Sequence, residues 1–477
     1  MNGISPGETH AFLSLRWGNL SPSGEGGDAK CTFLVASRPS HCNVDRYCEK
    51  ERMFCCAHLL TRGSSSQVRV VLGKQPGAGG TINTSRRVGV PFTATVRVFQ
   101  SRRRVMEQTK DQFAEHMGMG GATEEEVKST VQQYYGQELK TTEDLKTSAC
   151  CTAKPPSPVV RDILKRVPDE VVAKYYGCGS PFPVGIGGLR VLDLGSGSGR
   201  DCYVCAGLVG ESGSVVGVDM TREQLDVAEA YAETFCKETL GYAATNLRFV
   251  EGEIENLEKA GIEDNSIDLI ISNCVVNLSP NKEAVLKEAY RVLAQGGEMF
   301  FSDVYCDRRL PAEARRHPVL VGECLGGALY EQDFLRLARS VGFTDPRMFA
   351  APEVIEVKDT VLKDILGEAT FYSITYRLFK LPGRLETLCE DYGQAARYKG
   401  TMEGAPHACV LDDHHVFETG KWYEVCGNTA SMVGESWMGK HFEIIGDRSR
   451  HYGLFGGCGD APSSTPKDAE TGGGGCC

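Results

Sequence analysis

The chain has 477 residues, 41% of them hydrophobic and 24% charged, and a net charge of −11 at pH 7. That length implies two or three domains with sizeable cores. No apolar run reaches the roughly 18–20 residues of a membrane helix, and an acidic balance argues against generic nucleic-acid binding, which draws on basic surface. Neither a membrane nor a nucleic acid is therefore an expected partner. Cysteine is the outlier, at 20 residues. The chain is too long for a small disulfide scaffold, and its opening MNGISPGETHAFLSLRWGNL lacks the basic n-region and apolar core of a signal peptide. A reducing, cytoplasmic setting is expected, with thiols available for chemistry. The plainer reading, small buried hydrophobes, is expected for about half of the cysteines.

Residues 1–105 carry 12 Arg and 3 Lys against 6 acidic residues, with Gly/Ser stretches and few long apolar periods. They read as a basic, disordered leader. Import into an organelle by an Arg/Ser-rich transit segment is the alternative localisation, and translation from near Met106 is a third reading. Cys31, Cys42, Cys48, Cys55 and Cys56 lie here and receive no function; Cys55, Cys56 and His58 fit no zinc spacing. Residues 106–188 form an N-terminal helical segment. EEEVKSTVQQYYGQELK has apolar positions at helical spacing. TSACCTAKPPSP breaks structure with its prolines. PVVRDILKRVPDEVVAKYYGCG reads as one or two short amphipathic helices, and GCGSPFPVGIGG as a loop.

From Leu189 strand and helix alternate. RVLDLG, SVVGVDM, LRFVEGEI, SIDLIISNCVVNL and GEMFFSDVY are strands. SGRDCYVCAGLVG, TREQLDVAEAYAETFCKETL, KEAVLKEAYRVLA and DFLRLARSVGF are helices, and FYSITYRLFKL is a late strand. This order predicts an α/β fold: a Rossmann-like parallel sheet over 189–380, with helices on both faces and ligands at the carboxyl ends of its strands. Residues 381–460, with Gly- and His-punctuated strands, form a small α+β C-terminal domain. Residues 461–477 are a flexible Gly/Cys tail, in which Cys476 and Cys477 gather a thiophilic species from solution, relay reducing equivalents, or are dispensable.

LDLGSGSGR follows the first strand and opens a helix. Gly195, Gly197 and Gly199 allow a tight turn and close approach of backbone to a ligand. Glycines alone would fit a dinucleotide equally well. Asp193 before them, and Asp219 at the end of the second strand, narrow the reading; an acid at the latter place accepts hydrogen bonds from ribose hydroxyls. VLDLGSGSGR with GVDM resembles the first two motifs of class I S-adenosylmethionine methyltransferases. The resemblance implies that Asp193 and the glycine loop face the amino-acid end of the cofactor. Asp219 would take the ribose, with Gly252, Glu253 and Ile254 flanking the adenine. Ser196, Met220 and Asn273 join the same set.

Four cysteines sit at informative places: Cys150 in SACCT, Cys178 in KYYGCG, Cys274 after the fourth strand, and Cys324 in GECLGGALY. The last two should converge over the carboxyl edge of the sheet. Thiolates bind soft centres. As(III) is one, with a pyramidal three-coordinate preference and a lone pair that can attack a sulfonium methyl in line. SACCTA, YYGCG, LDLGSGSGRDCYV, SNCVVNLSPNK, EAYRVL, FFSDVY and GECLGGALY resemble the arsenite methyltransferase family over about Val131 to Lys380. The resemblance implies that Cys274 and Cys324 are direct arsenic ligands. Cys150 and Cys178 would then join them in binding or form a disulfide during turnover, and Tyr176 would lie near the cofactor. It also implies thioredoxin or glutathione as reductant, arsenite and methylarsenite as thiol conjugates for substrates, and no metal cofactor; a monomer is expected. Cys151, adjacent to Cys150, is an alternative for its role. Cys202, Cys205, Cys236 and Cys306 read as core residues. Two other functions stay open at this point. One is methylation of a small organic acceptor, which would need a general base such as His or Glu near Cys274. The other is non-catalytic metalloid sequestration, against which the full cofactor motif argues.

Overall fold

The computed structural model describes residues 123–138, 157–177 and 181–456, and the backbone of four strands upstream. The chain divides into two compact units, Met1–Thr95 and Val96–Cys477. In the first, β1 (Phe12–Ser14) pairs antiparallel with β2 (Leu34–Ala36), and β3 (Met53–Arg62) with β4 (Ser65–Lys74). The sequence reading expected no regular element here. It passed over the period of two in QVRVV, where Val68 and Val70 alternate with Gln67 and Arg69. Cys55, Cys56 and His58 fall on β3.

The second unit opens with α1 (Glu124–Gln133). Its start is a capping box: Thr123 Oγ1 accepts the Glu126 N–H, and the Glu126 carboxylate accepts the Thr123 N–H at 2.8 Å. α1 runs on into a π-helical turn, Tyr134–Glu138. Pro168 separates α2 (Pro158–Leu164) from α3 (Asp169–Ala173).

The central sheet contains β5 (Arg190–Leu194), β6 (Ser214–Asp219), β7 (Leu247–Glu251), β8 (Ile267–Asn273), β9 (Leu293–Cys306), the two-residue strands β10 (Leu329–Tyr330) and β11 (Arg347–Met348), β12 (Glu353–Ile355) and β13 (Phe371–Phe379). Its order is β11-β13-β9-β8-β5-β6-β7, with β10 on β9 and β12 on β13. β5 to β9 pair in parallel, and β13 joins β9 antiparallel. Strand order reverses between β5 and β8, so the ligand crevice is expected at their carboxyl ends. The period-two alternation of the strands sends residues to two cores. Leu192, Leu194 and Ile270 pack on one face with Leu286 of α6 (Lys282–Val292) and Leu335 of α9 (Glu331–Val341). Val191, Leu269 and Ile271 pack on the other with Tyr203 and Cys205 of α4 (Arg200–Val209). α5 (Arg222–Ala230) stops at Tyr231, and a π turn, Phe235–Thr239, follows. The sequence reading expected one continuous helix here; the wider turn lets the consecutive Phe235 and Cys236 both be buried.

Between β9 and β13 lie α7 (Ala312–Arg316), α8 (Pro318–Gly322) and α10 (Thr360–Leu366). The C-terminal part is β-rich, with β15 (Gln394–Tyr398) between β18 (Trp422–Val425) and β19 (Phe442–Ile445), and β14 (Glu390–Asp391) on β20 (Gly453–Leu454). β16 (Ala408–Val410) pairs with β17 (Val416–Glu418), and α11 (Gly427–Glu435) completes it. A buried ion pair joins this part to the sheet. Arg377 of β13 donates twice to the Glu298 carboxylate of β9, at 2.9 Å each. Arg377 Nη1 also donates to the Leu411 carbonyl at 3.1 Å, and Glu298 accepts the Trp437 indole N–H at 3.1 Å.

Candidate cofactor cleft and thiol site

The glycine turn is built from its backbone outward. The N–H groups of Gly195 and Ser196 both donate to the Val218 carbonyl, at 2.8 and 3.0 Å. Gly199 has φ +87°, and a Cβ there would lie 2.6 Å from the Phe249 ring, so only glycine lets the start of α4 settle against β7. Asp219 closes the turn: one carboxylate oxygen accepts the Gly197 N–H and the other the Thr221 N–H, each at 2.8 Å. Burial pushes its carboxyl up, and those two N–H groups pull it back.

Beside this turn opens a cleft of about 960 Å³, open solvent at its mouth included. Tyr176, Asp193, Gly195, Ser196, Gly197, Asp219, Met220, Gly252, Ile254, Asn273 and Cys274 all line it. Glu253 does not. Its half-exposed carboxylate pairs with Lys128 Nζ at 2.9 Å, and Lys128 lines the cleft together with Gly252 and Ile254 on either side of Glu253. Asp193 is buried and accepts the Cys202 thiol at 3.2 Å. Burial first, and then the charge of Asp201, hold its carboxyl well above the usual range. Burial and Asp193 likewise push up the Cys202 thiol.

Tyr175 and Asp201 also line the cleft, with Arg200 packed beside them, and none of the three was singled out from the sequence. Asn273 Nδ2 donates to the Tyr175 hydroxyl at 2.5 Å and to Asp201 at 3.0 Å. The Arg200 guanidinium lies 3.4 Å from the centre of the Tyr175 ring and 3.0 Å from Asp201. The signal was an adjacent Arg-Asp pair directly after the glycines. Tyr176 meets Tyr135 edge to face, with ring centres 5.5 Å apart. Ser196 Oγ and Gln224 Oε1 are buried polar atoms with no protein hydrogen bond, which fits a cleft whose polar partner is a ligand.

The thiol site lies at the end of β8. Cys274 has φ +58° and Cys324 φ +64°, left-handed backbone that a side chain rarely adopts and that costs roughly 1–3 kcal/mol each. These two turns bring both sulfurs and an oxygen of Asp303 within 4.8 Å of one another. The Cys324 thiol donates to the Cys274 carbonyl at 2.9 Å. Cys274 is disulfide-bonded. Cys150 and Cys178 lie outside the described residues, as do Cys151, Cys476 and Cys477.

Asp303 was missed, although a lone acid inside the apolar strand FFSDVY marks it. Its carboxylate accepts the N–H groups of Asn277 at 3.0 Å and Val304 at 2.8 Å. Burial pushes its carboxyl up to about 7. Buried Lys282, lowered to about 8 by burial, donates to the carbonyls of Asn277 and Ser279 at 3.1 and 2.9 Å. A Cβ on Gly327 would sit 1.9 Å from the Asn277 carbonyl, so the Cys324 loop meshes directly with the Cys274 loop. Cys202, Cys205, Cys236 and Cys306 are all buried.

A doubly wound sheet, a glycine turn stitched to an acid at the end of the second strand, and a cleft at the switch point define a class I S-adenosylmethionine-dependent methyltransferase. Residues 187–342 match a family described as a methyltransferase domain. The arsenite methyltransferase of Aquipseudomonas alcaligenes is 54% identical over 348 residues, 73% of this chain and 99% of that protein. The human arsenite methyltransferase is 43% identical over 334 residues, 69% of this chain and 87% of that one. The chain belongs to the arsenite methyltransferase family. The crystal structure of CrArsM, an arsenic(III) S-adenosylmethionine methyltransferase from Chlamydomonas reinhardtii, matches with a TM-score of 0.62 at 63% identity, covering 63% of this chain and all (100%) of that one. Among the described residues no helix is long and apolar enough to cross a membrane.

Proposed function

We propose that this protein methylates trivalent arsenic bound by its own thiolates, using S-adenosylmethionine, and yields mono- and dimethylated arsenicals. One observation carries the reading: two left-handed turns hold the Cys274 and Cys324 sulfurs within 4.8 Å of each other, and Cys274 also lines the cleft. When bound, S-adenosylmethionine supplies an electrophilic methyl group on a positively charged sulfur. Asp219 would take its ribose, and Asp193 with Asp201 would face its amino-acid end. Cys274 and Cys324 hold the arsenic so that its lone pair points at the methyl, and positioning is most of the catalysis. The nucleophile carries no proton, so no general base is required.

A third thiolate, from Cys150 or Cys178, completes the coordination of arsenite. Methyl transfer uses the arsenic lone pair and leaves the metalloid two electrons more oxidised. Two thiolates, Cys150 and Cys178 on this reading, return those electrons and close as a disulfide. Thioredoxin or glutathione would reopen it. The working form is a cytoplasmic monomer acting on thiol conjugates of arsenite and methylarsenite.

The test is arsenic speciation after incubating reduced protein with arsenite, S-adenosylmethionine and thiol. Cys274→Ser and Cys324→Ser should each abolish methylation of arsenite and of methylarsenite, because a protonated hydroxyl cannot replace a thiolate on a soft centre. Cys150→Ser and Cys178→Ser should lose the first methylation and keep part of the second, since methylarsenite has one position already filled by carbon. Cys202→Ser should retain both. Methylation of arsenite by Cys274→Ser at the wild-type rate would sink the reading.

A further inference from the structure

The geometry points to Tyr134 and Tyr135 as positioning residues that tie the cofactor cleft to the Cys324 thiolate, so that cofactor and arsenic bind cooperatively. This rests on the arsenic reading above and extends it to the order in which the site assembles. The two tyrosines stand in the π turn that ends α1. Such a turn shifts the register of a helix and aims side chains that a regular helix would send elsewhere.

On one side the segment is part of the cofactor cleft. Lys128, Val131 and Tyr135 line it. Gln132 Nε2 donates to the Met220 carbonyl at 2.9 Å, and Gln224 Nε2 donates to the Tyr135 carbonyl at 3.0 Å. Lys128 pairs with Glu253 at 2.9 Å, just past β7. On the other side the same residues grip the backbone directly before Cys324. The Tyr135 hydroxyl donates to the Gly322 carbonyl at 2.8 Å, and the Tyr134 hydroxyl donates to the Glu323 carboxylate at 3.3 Å. The Tyr134 ring packs against Gly322, where an added Cβ would come within 2.7 Å of it. Val127 and Val131 share a small core with Val321, against which Met220 and Leu278 pack. One short segment therefore touches the cofactor wall and the two residues that set the left-handed turn at Cys324.

A ligand that fills the cleft presses on Val131 and Tyr135 and seats this segment. The seated tyrosines fix Gly322 and Glu323, and with them the Cys324 sulfur. Arsenic binding at Cys324 seats the segment from the other end. Coupling of this kind is reciprocal: each ligand tightens the other by the same factor.

The experiment measures arsenite affinity of the reduced full chain by equilibrium dialysis, with and without saturating S-adenosylhomocysteine, which cannot turn over. Arsenite should bind at least about fivefold tighter in its presence, the lower end of ordinary heterotropic coupling. Tyr135→Phe, which removes the bond to Gly322, should bring that ratio close to one, and the reciprocal ratio for S-adenosylhomocysteine should fall equally. Tyr134→Phe should lower it part of the way. Tyr398→Phe, whose hydroxyl bonds to Ala405 in the C-terminal part, should keep the wild-type ratio, so a general loss of stability cannot imitate the result. A wild-type ratio of one, or a Tyr135→Phe ratio equal to wild type, overturns the inference and leaves the arsenic site standing. Undiminished arsenite binding by Cys324→Ser overturns the arsenic site itself.

Discussion

Replacing Asp219 with Asn tests the cofactor cleft and the glycine turn together. Its two carboxylate oxygens each accept one backbone N–H, from Gly197 and from Thr221, both at 2.8 Å. An amide has one acceptor oxygen. Asp219→Asn therefore satisfies one of those N–H groups and turns an NH2 toward the other. Hydrogen bonds to a charged group contribute about 1.5–3 kcal/mol, against about 0.5–1.5 for neutral pairs, so losing one and weakening the other costs about 2–4 kcal/mol of fold stability. In a domain of this size that lowers the melting temperature by several degrees. The same change weakens the hydrogen bonds offered to a ribose, and a loss of about 1.4 kcal/mol there is tenfold in affinity. Calorimetric titration with S-adenosylhomocysteine should show at least that tenfold loss. Because burial holds the Asp219 carboxyl above its ordinary value, wild-type affinity should begin to fall at a higher pH than an exposed aspartate would give. Asp219→Asn should be flat over the same range. Unchanged affinity, with or without a lower melting temperature, would remove Asp219 from the cofactor site and leave it a purely structural clasp.

Three further outcomes follow from the geometry. Cys324→Gly should be more stable than Cys324→Ala by about 1 kcal/mol, since φ +64° suits glycine and strains alanine; the opposite order, read by urea titration, would deny the strain. Asp303 has a folded value of about 7 against an ordinary 3.8. The native state therefore holds a proton that the unfolded chain has already released between those values, and stability falls as pH rises from about 4 to 7. Asp303→Asn should flatten that slope in thermal melts, and an unaltered slope would assign it to other groups. A chain beginning at Met106 retains nearly all of the second unit and should fold and methylate like the full chain; insolubility or lost activity would make the leader part of the domain.

Much of the fold was legible because its rules are local. The alternation of RVLDLG, SVVGVDM and SIDLIISN with amphipathic helices yields a parallel sheet almost by itself, and a glycine turn between a strand and a helix marks the crevice. Cys274 and Cys324 could be placed on one edge because each follows a recognisable strand. What escaped depends on contacts between distant parts of the chain. Nothing around Glu253 says that its carboxylate meets Lys128, more than a hundred residues upstream. Asp303 hides in a strand that otherwise reads as core, and its meaning comes from Asn277 and from two turns that no periodicity announces. Tyr175 was passed over for its neighbour Tyr176, since which of two adjacent tyrosines meets Asn273 and Arg200 is decided by the loop and not by the pattern.

The Arg377–Glu298 pair reaches beyond its two residues. It sits between neighbouring strands of the catalytic sheet, yet its remaining hydrogen bonds come from Leu411 and Trp437, far along the chain. Excising everything after residue 380 would leave the pair bonded to itself but without the outer hydrogen bonds from Leu411 and Trp437, and would bare the apolar residues packed around it to water. The last part of the chain is thus not an accessory that engineering could trim or exchange at will. In a search for smaller or chimeric variants, the usable cut points lie ahead of the sheet and not behind it.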